Sequence, residues 1–342
     1  MSLITVYRGT RSGRVQESTV LSPGPPKRHQ VIVRITHSGL CGTDEHYKCQ
    51  DMVLGHEGVG IVESIGSSVV TLKVGDRVGW GYCHGSCLNC EYCDQGQELY
   101  CEQRQFYGFD EFDQGSFATY ATWNEHFLFR IPESIPSAEA APLMCAGAAV
   151  YSALRSAGVQ WHHRVGVLGL GGLGHLAVQY AAKMGCHVTA YSHSSGKEEA
   201  ARNLGASDFQ VLGDTSTSSR AVDCLLLTGS QQPDWSQALS LVRRGGVISA
   251  VTVDSSELRC SYGEVLMNAM RIQGSLPAAP NVQREMLNFS ALHGIKPIIE
   301  TFPFTEDGIN GAMEKLRQGR MRYRGVLAME AYLGSPSDDL YK

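Results

Sequence analysis

The sequence predicts an α/β protein in which a doubly wound parallel-sheet unit is inserted between two parts of a β-rich domain. Three observations carry this. The first half is rich in short β-type runs bounded by turn residues. From about residue 164, apolar strands alternate with amphipathic helices, the pattern of a parallel sheet covered on both faces. Between the first such strand and the first such helix lies the turn "GLGGLG".

In the β-rich part, "HQVIVRITHSG", "GVGIVESIG", "GDRVGWG" and "FATYATW" read as strands, short runs rich in branched and aromatic residues bounded by turn residues. The inserted unit opens with the strand "RVGVLGL" and the helix "GHLAVQYAAKMG", closed by Gly185. The strand "HVTAYS" and the helix "GKEEAARNLGA", closed by Gly205, come next. "AVDCLLLTG" is a strand, "DWSQALSLVRRGG" a helix, and "GVISAVTV" and "RIQGSL" are strands. A final helix and strand are expected in "FTEDGINGAMEKLRQGRMRYRGVLAM". The expected domains are 1–155 with 278–342, carrying a cysteine-rich lobe at about 83–105, and 156–277 between them.

The chain has 342 residues, enough for two domains, with 43% hydrophobic and 18% charged residues. A formal net charge of -5 supplies no basic stripe for nucleic acid and no polybasic segment for a membrane surface. "MSLITVYRG" lacks the apolar core of a signal peptide, and no apolar run is long enough to span a bilayer. Eleven cysteines, an odd number without a secretory signal, argue against a disulfide framework. A cytoplasmic location is expected.

Gly169, Gly171 and Gly174 have the G-x-G-x-x-G spacing, and a strand before and a helix after make that spacing informative. The first glycine allows the tight turn, the second lets the backbone approach a pyrophosphate, and the third permits close helix–sheet packing. With Gly172 and Leu173 between them, they predict a Rossmann-type dinucleotide site. An NAD site usually carries an acidic residue at the end of the second strand, on the ribose 2′-hydroxyl. Here Ser192 stands eighteen positions after Gly174, followed by Ser194 and Lys197. Hydroxyls and an ammonium suit a 2′-phosphate, so NADP(H) is expected in preference to NAD(H).

Cys87, Cys90, Cys93 and Cys101 read C-x2-C-x2-C-x7-C. Four thiolates at this spacing can converge on one tetrahedral Zn²⁺, and a closed shell of four makes such a site structural. A redox Cys-x-x-Cys pair would use only two of them, and "NCEYCDQGQ" is too polar for a core strand of unliganded cysteines. Cys83 fits no ligand slot.

A second constellation lies in "GLCGTDEH" and "GHEGVG", which hold Cys41, Thr43, Asp44, His46, His56 and Glu57; Cys145 in "PLMCAGAAVYSAL" can complete it. Together with "GHEGVGIV", the four-cysteine lobe, "GLGGLGHLAVQYAAKMG" and "HGIKPIIE", these motifs resemble the zinc-dependent medium-chain alcohol dehydrogenases over nearly the whole chain. The cinnamyl alcohol dehydrogenase branch is the most similar. The resemblance implies a GroES-like catalytic domain and a Rossmann domain. By matching motif, Cys41, His56 and Cys145 would be ligands of a catalytic zinc, Glu57 an adjacent carboxylate, and Asp44 a partner that orients a ligand. Thr43 and His46 would fill the proton-relay positions.

It further implies two Zn²⁺ per chain and hydride transfer between nicotinamide C4 and a zinc-bound alcohol or aldehyde. A homodimer or homotetramer is expected. Relatives that reduce polarised C=C or C=N bonds supply an alternative, and a non-catalytic NADP-binding protein a more distant one. One departure stands out: only fourteen residues separate Cys41 from His56, fewer than is usual in this branch, and Cys49 in the remnant has no assignable role.

Overall fold

The computed structural model describes residues 3–22, 24–213 and 221–333. They divide into two compact units, one made of the chain up to Cys145 and from Ala278 onward, the other of Ala146–Pro277. The division falls ten residues earlier than the 155/156 boundary expected from the sequence. The cause is the helix Ala148–Ser156: its Tyr151 ring meets Tyr180 of the helix Gly174–Lys183 edge-on, with centroids 5.4 Å apart. That contact makes the helix part of the inserted unit.

The first unit is built on a seven-stranded sheet. Its order is Ile299–Pro303, Arg324–Ala328, Gln30–Leu40, Gly58–Ile65, Arg77–Trp80 and Phe129–Arg130, with Tyr120–Asn124 also paired to Gln30–Leu40. The first pair is parallel and the others antiparallel. Val31, Val33 and Ile35 alternate inward at the strand period and pack with Leu54, Val78, Trp80 and Phe117. Each such side chain contributes about 1.5–3 kcal/mol by leaving water. Beyond Ile35 the strand is buried at every position to Leu40, so the residue that follows it, Cys41, is delivered by a rigid core element.

The second unit holds six parallel strands in the order Asp208–Val211, His187–Ser192, Arg164–Leu168, Val222–Leu227, Val242–Ala250 and Arg271–Gly274. Chain order reverses between Arg164–Leu168 and Val222–Leu227, and ligands of doubly wound sheets bind at that switch point. The helix expected over 234–246 is shorter, Trp235–Ser240, capped by the Asp234 carboxylate. Val242 already lies beside Val222 in the ladder and Arg243 pairs with Asp223, so tertiary pairing converts "VRRGG" from helix to strand.

Candidate active site and metal centres

In the first unit the strand ending at Leu40 hands the chain to a short helix, Gly42–Tyr47, whose N-cap is Cys41. The Asp44 carboxylate folds back, and its Oδ2 accepts from the Cys41 N–H at 2.8 Å. Its Oδ1 meets His56 Nδ1 at 3.0 Å and accepts from the Tyr107 hydroxyl at 2.9 Å. With Nδ1 held by a carboxylate, His56 turns Nε2 the other way, to 3.3 Å from Cys145 Sγ. Cys145 sits in a π-helical turn, Leu143–Gly147, of the kind that interrupts helices at functional sites. One ligand atom from each of Cys41, His56, Glu57 and Cys145 falls within 4.8 Å of all the others.

His56, Glu57 and Cys145 are buried and Cys41 half-buried, and their charges act on one another. A hydrogen bond from Cys145, with His56 and Arg324 nearby, lowers the Cys41 thiol well below its usual range. The same bond and burial raise Cys145. Burial opposes a charge on His56, yet Asp44 raises it well above the usual imidazole range. Burial pushes Glu57 up to about 7 against the pull of Arg324. The Arg324 guanidinium binds Glu57 Oε1, while Glu57 Oε2 is buried without a hydrogen-bond partner. Two sulfurs, an imidazole and a carboxylate oxygen left unsatisfied form a donor set that fits a zinc ion.

Cys87, Cys90, Cys93 and Cys101 form the other convergent group. Their sulfurs lie 3.9 Å (Cys87–Cys93), 3.6 Å (Cys90–Cys93) and 3.5 Å (Cys87–Cys101) apart. Zn–S bonds of about 2.3 Å in a tetrahedron require edges of about 3.8 Å. Backbone N–H groups of Cys87 and Gln103 point at the Cys101 sulfur. Cys83 lies in a small apolar cluster with Leu99, Phe106 and Phe127, outside both groups. Cys49 is exposed.

Thr43 places its Oγ1 3.7 Å from Cys41 Sγ. His46 lies on the same helix and is exposed, and no hydrogen bond joins it to Thr43 among the described residues.

In the second unit the glycine turn is held by side chains from three directions. Thr228 Oγ1 donates to the Gly169 carbonyl at 2.7 Å, Lys197 Nζ to that of Leu170 at 3.0 Å, and His175 Nδ1 meets that of Gly171 at 3.0 Å. Gly174 must be glycine, because a Cβ would lie 1.9 Å from the Gly169 oxygen. A Cβ on Gly171 would meet nothing within 4 Å, so no protein atom demands a glycine there. That open face leaves room for the backbone to approach a dinucleotide pyrophosphate. Gly172 and Leu173 are half-buried in the turn, with Leu173 capping the following helix. Ser192, buried at the end of its strand, accepts from the Ser194 N–H at 3.3 Å, and Ser194 is exposed.

Four residues that matter here were missed in the sequence: Tyr107, Arg324, Thr228 and His175. Arg324 had a signal, a lone charge heading the buried strand "RGVLA". Tyr107, Thr228 and His175 had none, since each acts through a partner distant in the chain or on the backbone.

Convergent sulfur and imidazole donors in one unit, and an open glycine turn at the switch point of the other, define a zinc- and nucleotide-binding dehydrogenase. Residues 27–133 match the alcohol dehydrogenase GroES-like domain, and residues 172–291 the zinc-binding dehydrogenase domain. A probable cinnamyl alcohol dehydrogenase of Arabidopsis thaliana is 36% identical, covering 95% of this chain and 96% of its own length. The structure of a CAD from Helicobacter pylori, complexed with NADP(H), superposes with a TM-score of 0.86 at 26% identity, over 95% of this chain and 98% of that one. The acetophenone reductase of Geotrichum candidum, in complex with NAD, gives 0.85 at 28% identity, over 96% and 98%. The chain belongs to the zinc-type medium-chain alcohol dehydrogenase family and is an oxidoreductase acting on alcohols.

Proposed function

We propose that this protein is an NADP(H)-dependent alcohol dehydrogenase, or aldehyde reductase in the reverse direction, holding two zinc ions per chain. The observation that carries it is the convergence of Cys41, His56, Glu57 and Cys145, with His56 oriented by Asp44. Cys41, His56 and Cys145 hold the catalytic ion with Glu57 beside it, and Cys87, Cys90, Cys93 and Cys101 hold the structural one. The catalytic zinc, when bound, supplies Lewis acidity toward an alcohol or carbonyl oxygen. NADP(H) supplies or accepts the hydride at nicotinamide C4. Thr43 would accept the substrate hydroxyl proton at Oγ1 while releasing its own, which a group bridging the two side chains would carry to His46 and on to solvent. Asp44 keeps His56 in one tautomer, with Nε2 free to bind metal.

For the cofactor, no acidic side chain stands at position 192, and Lys197 brings an ammonium to the glycine turn. Ser192, Ser194 and Lys197 take the 2′-phosphate. For assembly, the strand Arg271–Gly274 is the edge of its sheet, and Tyr262, Leu266 and Met267 of the neighbouring helix are exposed. This apolar edge supports a homo-oligomer, dimer or tetramer. Eleven cysteines, none paired in a disulfide, suit the reducing cytoplasm. Among the described residues no helix is long and apolar enough to cross a membrane.

An NADPH-oxidation screen over aromatic, aliphatic and α,β-unsaturated aldehydes, with product identification, tests the reading. Reduction of at least one aldehyde to its alcohol is expected. Products reduced only at C=C would replace it with the alternative reductase, and no NADPH oxidation by metal-replete protein would overturn it.

A further inference from the structure

We infer that the four-cysteine lobe sets the position of His56, acting through Tyr107. The inference rests on the metal reading above and adds to it a residue and a direction of influence. The lobe is closed by a small antiparallel pair, Cys83–Gly85 with Gln105–Phe106, in which Cys83 lies opposite Phe106 and Gly85 opposite Gln105. The residues at the foot of the pair, Tyr82 and Tyr107, emerge together, and the Tyr107 N–H donates to the Tyr82 carbonyl at 3.0 Å. Both rings lie against His56. Tyr107 stacks on its face, with centroids 4.7 Å apart and an interplanar angle of 28°, and Tyr82 meets it edge-on at 5.7 Å and 87°.

The Tyr107 hydroxyl does more than fill space. It accepts from the N–H of Gly55, the residue before His56, at 2.9 Å. It donates to Asp44 Oδ1, the oxygen that also meets His56 Nδ1. One buried phenol therefore fixes the plane of the imidazole, the backbone that carries it and the carboxylate that chooses its tautomer. Tyr107 has little freedom of its own. Tyr47 crosses its ring edge-on at 5.5 Å, and a Cβ on the next residue, Gly108, would lie 2.3 Å from the Tyr47 ring.

The stems that carry Tyr82 and Tyr107 are pinned at their far ends by the cysteines. Cys87 follows Gly85 by two residues, and Cys101 precedes Gln105 by four. Metal in the lobe fixes the stems, the stems fix the two tyrosines, and the tyrosines fix His56. Tyr107 is a positioning residue, and partners of this kind change metal affinity by about 10- to 100-fold when removed.

Tyr107→Phe keeps the ring and removes the hydroxyl. The measurement is zinc per chain under competition with a chelator, together with the absorption spectrum of cobalt substituted at the Cys41, His56 and Cys145 set. Wild type is expected to release its catalytic-site metal about 10- to 100-fold less readily than Tyr107→Phe, which keeps the lobe metal and shows a shifted cobalt spectrum. Cys93→Ser, which opens the lobe, weakens the same catalytic-site metal. Combined with Tyr107→Phe it adds little, because both act through one link. Wild-type metal retention and an unchanged spectrum in Tyr107→Phe would overturn the inference, as would full additivity of the two losses. If Cys93→Ser fails to fold, wild type stripped of lobe zinc by a mild chelator replaces it, and unchanged catalytic-site metal retention and cobalt spectrum in that protein would overturn the inference. A wild-type chain that holds metal only in the lobe overturns the underlying reading, and this is seen before any variant is made.

Discussion

Thr43 brings a hydroxyl to 3.7 Å from the Cys41 sulfur, and the exposed His46 follows three residues later on the same short helix. If this hydroxyl takes the substrate proton, Thr43→Val keeps the shape and lowers turnover by about 10²-fold or more, the scale of general acid–base help. His46→Ala is milder, because water reaches the exposed end. Steady-state turnover with deuterated alcohol reads both effects, and near wild-type rates in Thr43→Val with a full isotope effect would remove the relay. At the cofactor, one charge-assisted contact is worth about 1.5–3 kcal/mol, or roughly ten- to a hundred-fold in kcat/KM for NADPH over NADH. Ser192→Asp should erase or reverse that preference. Lys197→Ala should weaken NADPH most and NADH less, since Lys197 also holds the Leu170 carbonyl. Equal efficiency with both cofactors in the wild type would refute the assignment. The candidate ligands were legible because thiol and imidazole chemistry leaves a spacing in the chain; Tyr107 was not, because it acts through Asp44 across more than sixty residues.

At the scale of elements, β-rich runs bounded by turn residues were legible, and segments governed by a distant partner were not. "VRRGG" looks like the end of a helix, yet the ladder beside Val222 and the Arg243–Asp223 pair claim it as strand. Glu125 shows the same logic between loops. Its Oε2 accepts from the N–H groups of Val70 and Thr71 and from the Thr71 hydroxyl, and its Oε1 meets His29 at 2.9 Å. Burial alone would raise this carboxyl, but His29 and these donors bring it down to about 2. A carboxyl depressed on folding stabilises above its unfolded pKa and loses that contribution as pH falls through the folded one. The stability is therefore complete above about pH 4.5 and fades towards pH 2. Glu125→Gln should lower the urea midpoint at pH 6 and differ little from wild type near pH 2.5. An equal gap at both pH values would show that the loss is packing and not charge.

For the whole molecule, the two donor sets answer to different demands, and that difference is measurable. The lobe Cys87–Cys101 has little apolar core of its own beyond Leu99 and the cluster with Phe106 and Phe127, so metal bound there would supply folding energy. The set of Cys41, His56, Glu57 and Cys145 is instead framed by strands and a helix whose cores exist without it. Its polar atoms are costly when unsatisfied, as the orphaned Glu57 Oε2 shows, but the surrounding sheet does not depend on them. Elemental analysis of gently purified protein should thus find two zinc ions per chain. Cys93→Ser should lose the lobe ion and hold the other less tightly, melt several degrees lower and become sensitive to proteolysis between 83 and 105. Cys145→Ser should also lose one, with turnover reduced by orders of magnitude, yet melt close to wild type and keep its lobe resistant. Cleavage mapping and calorimetry on the two variants separate the sites even though their metal counts match. If Cys145→Ser were the one to unfold and Cys93→Ser the one to stay intact, the structural and catalytic assignments would have to be exchanged.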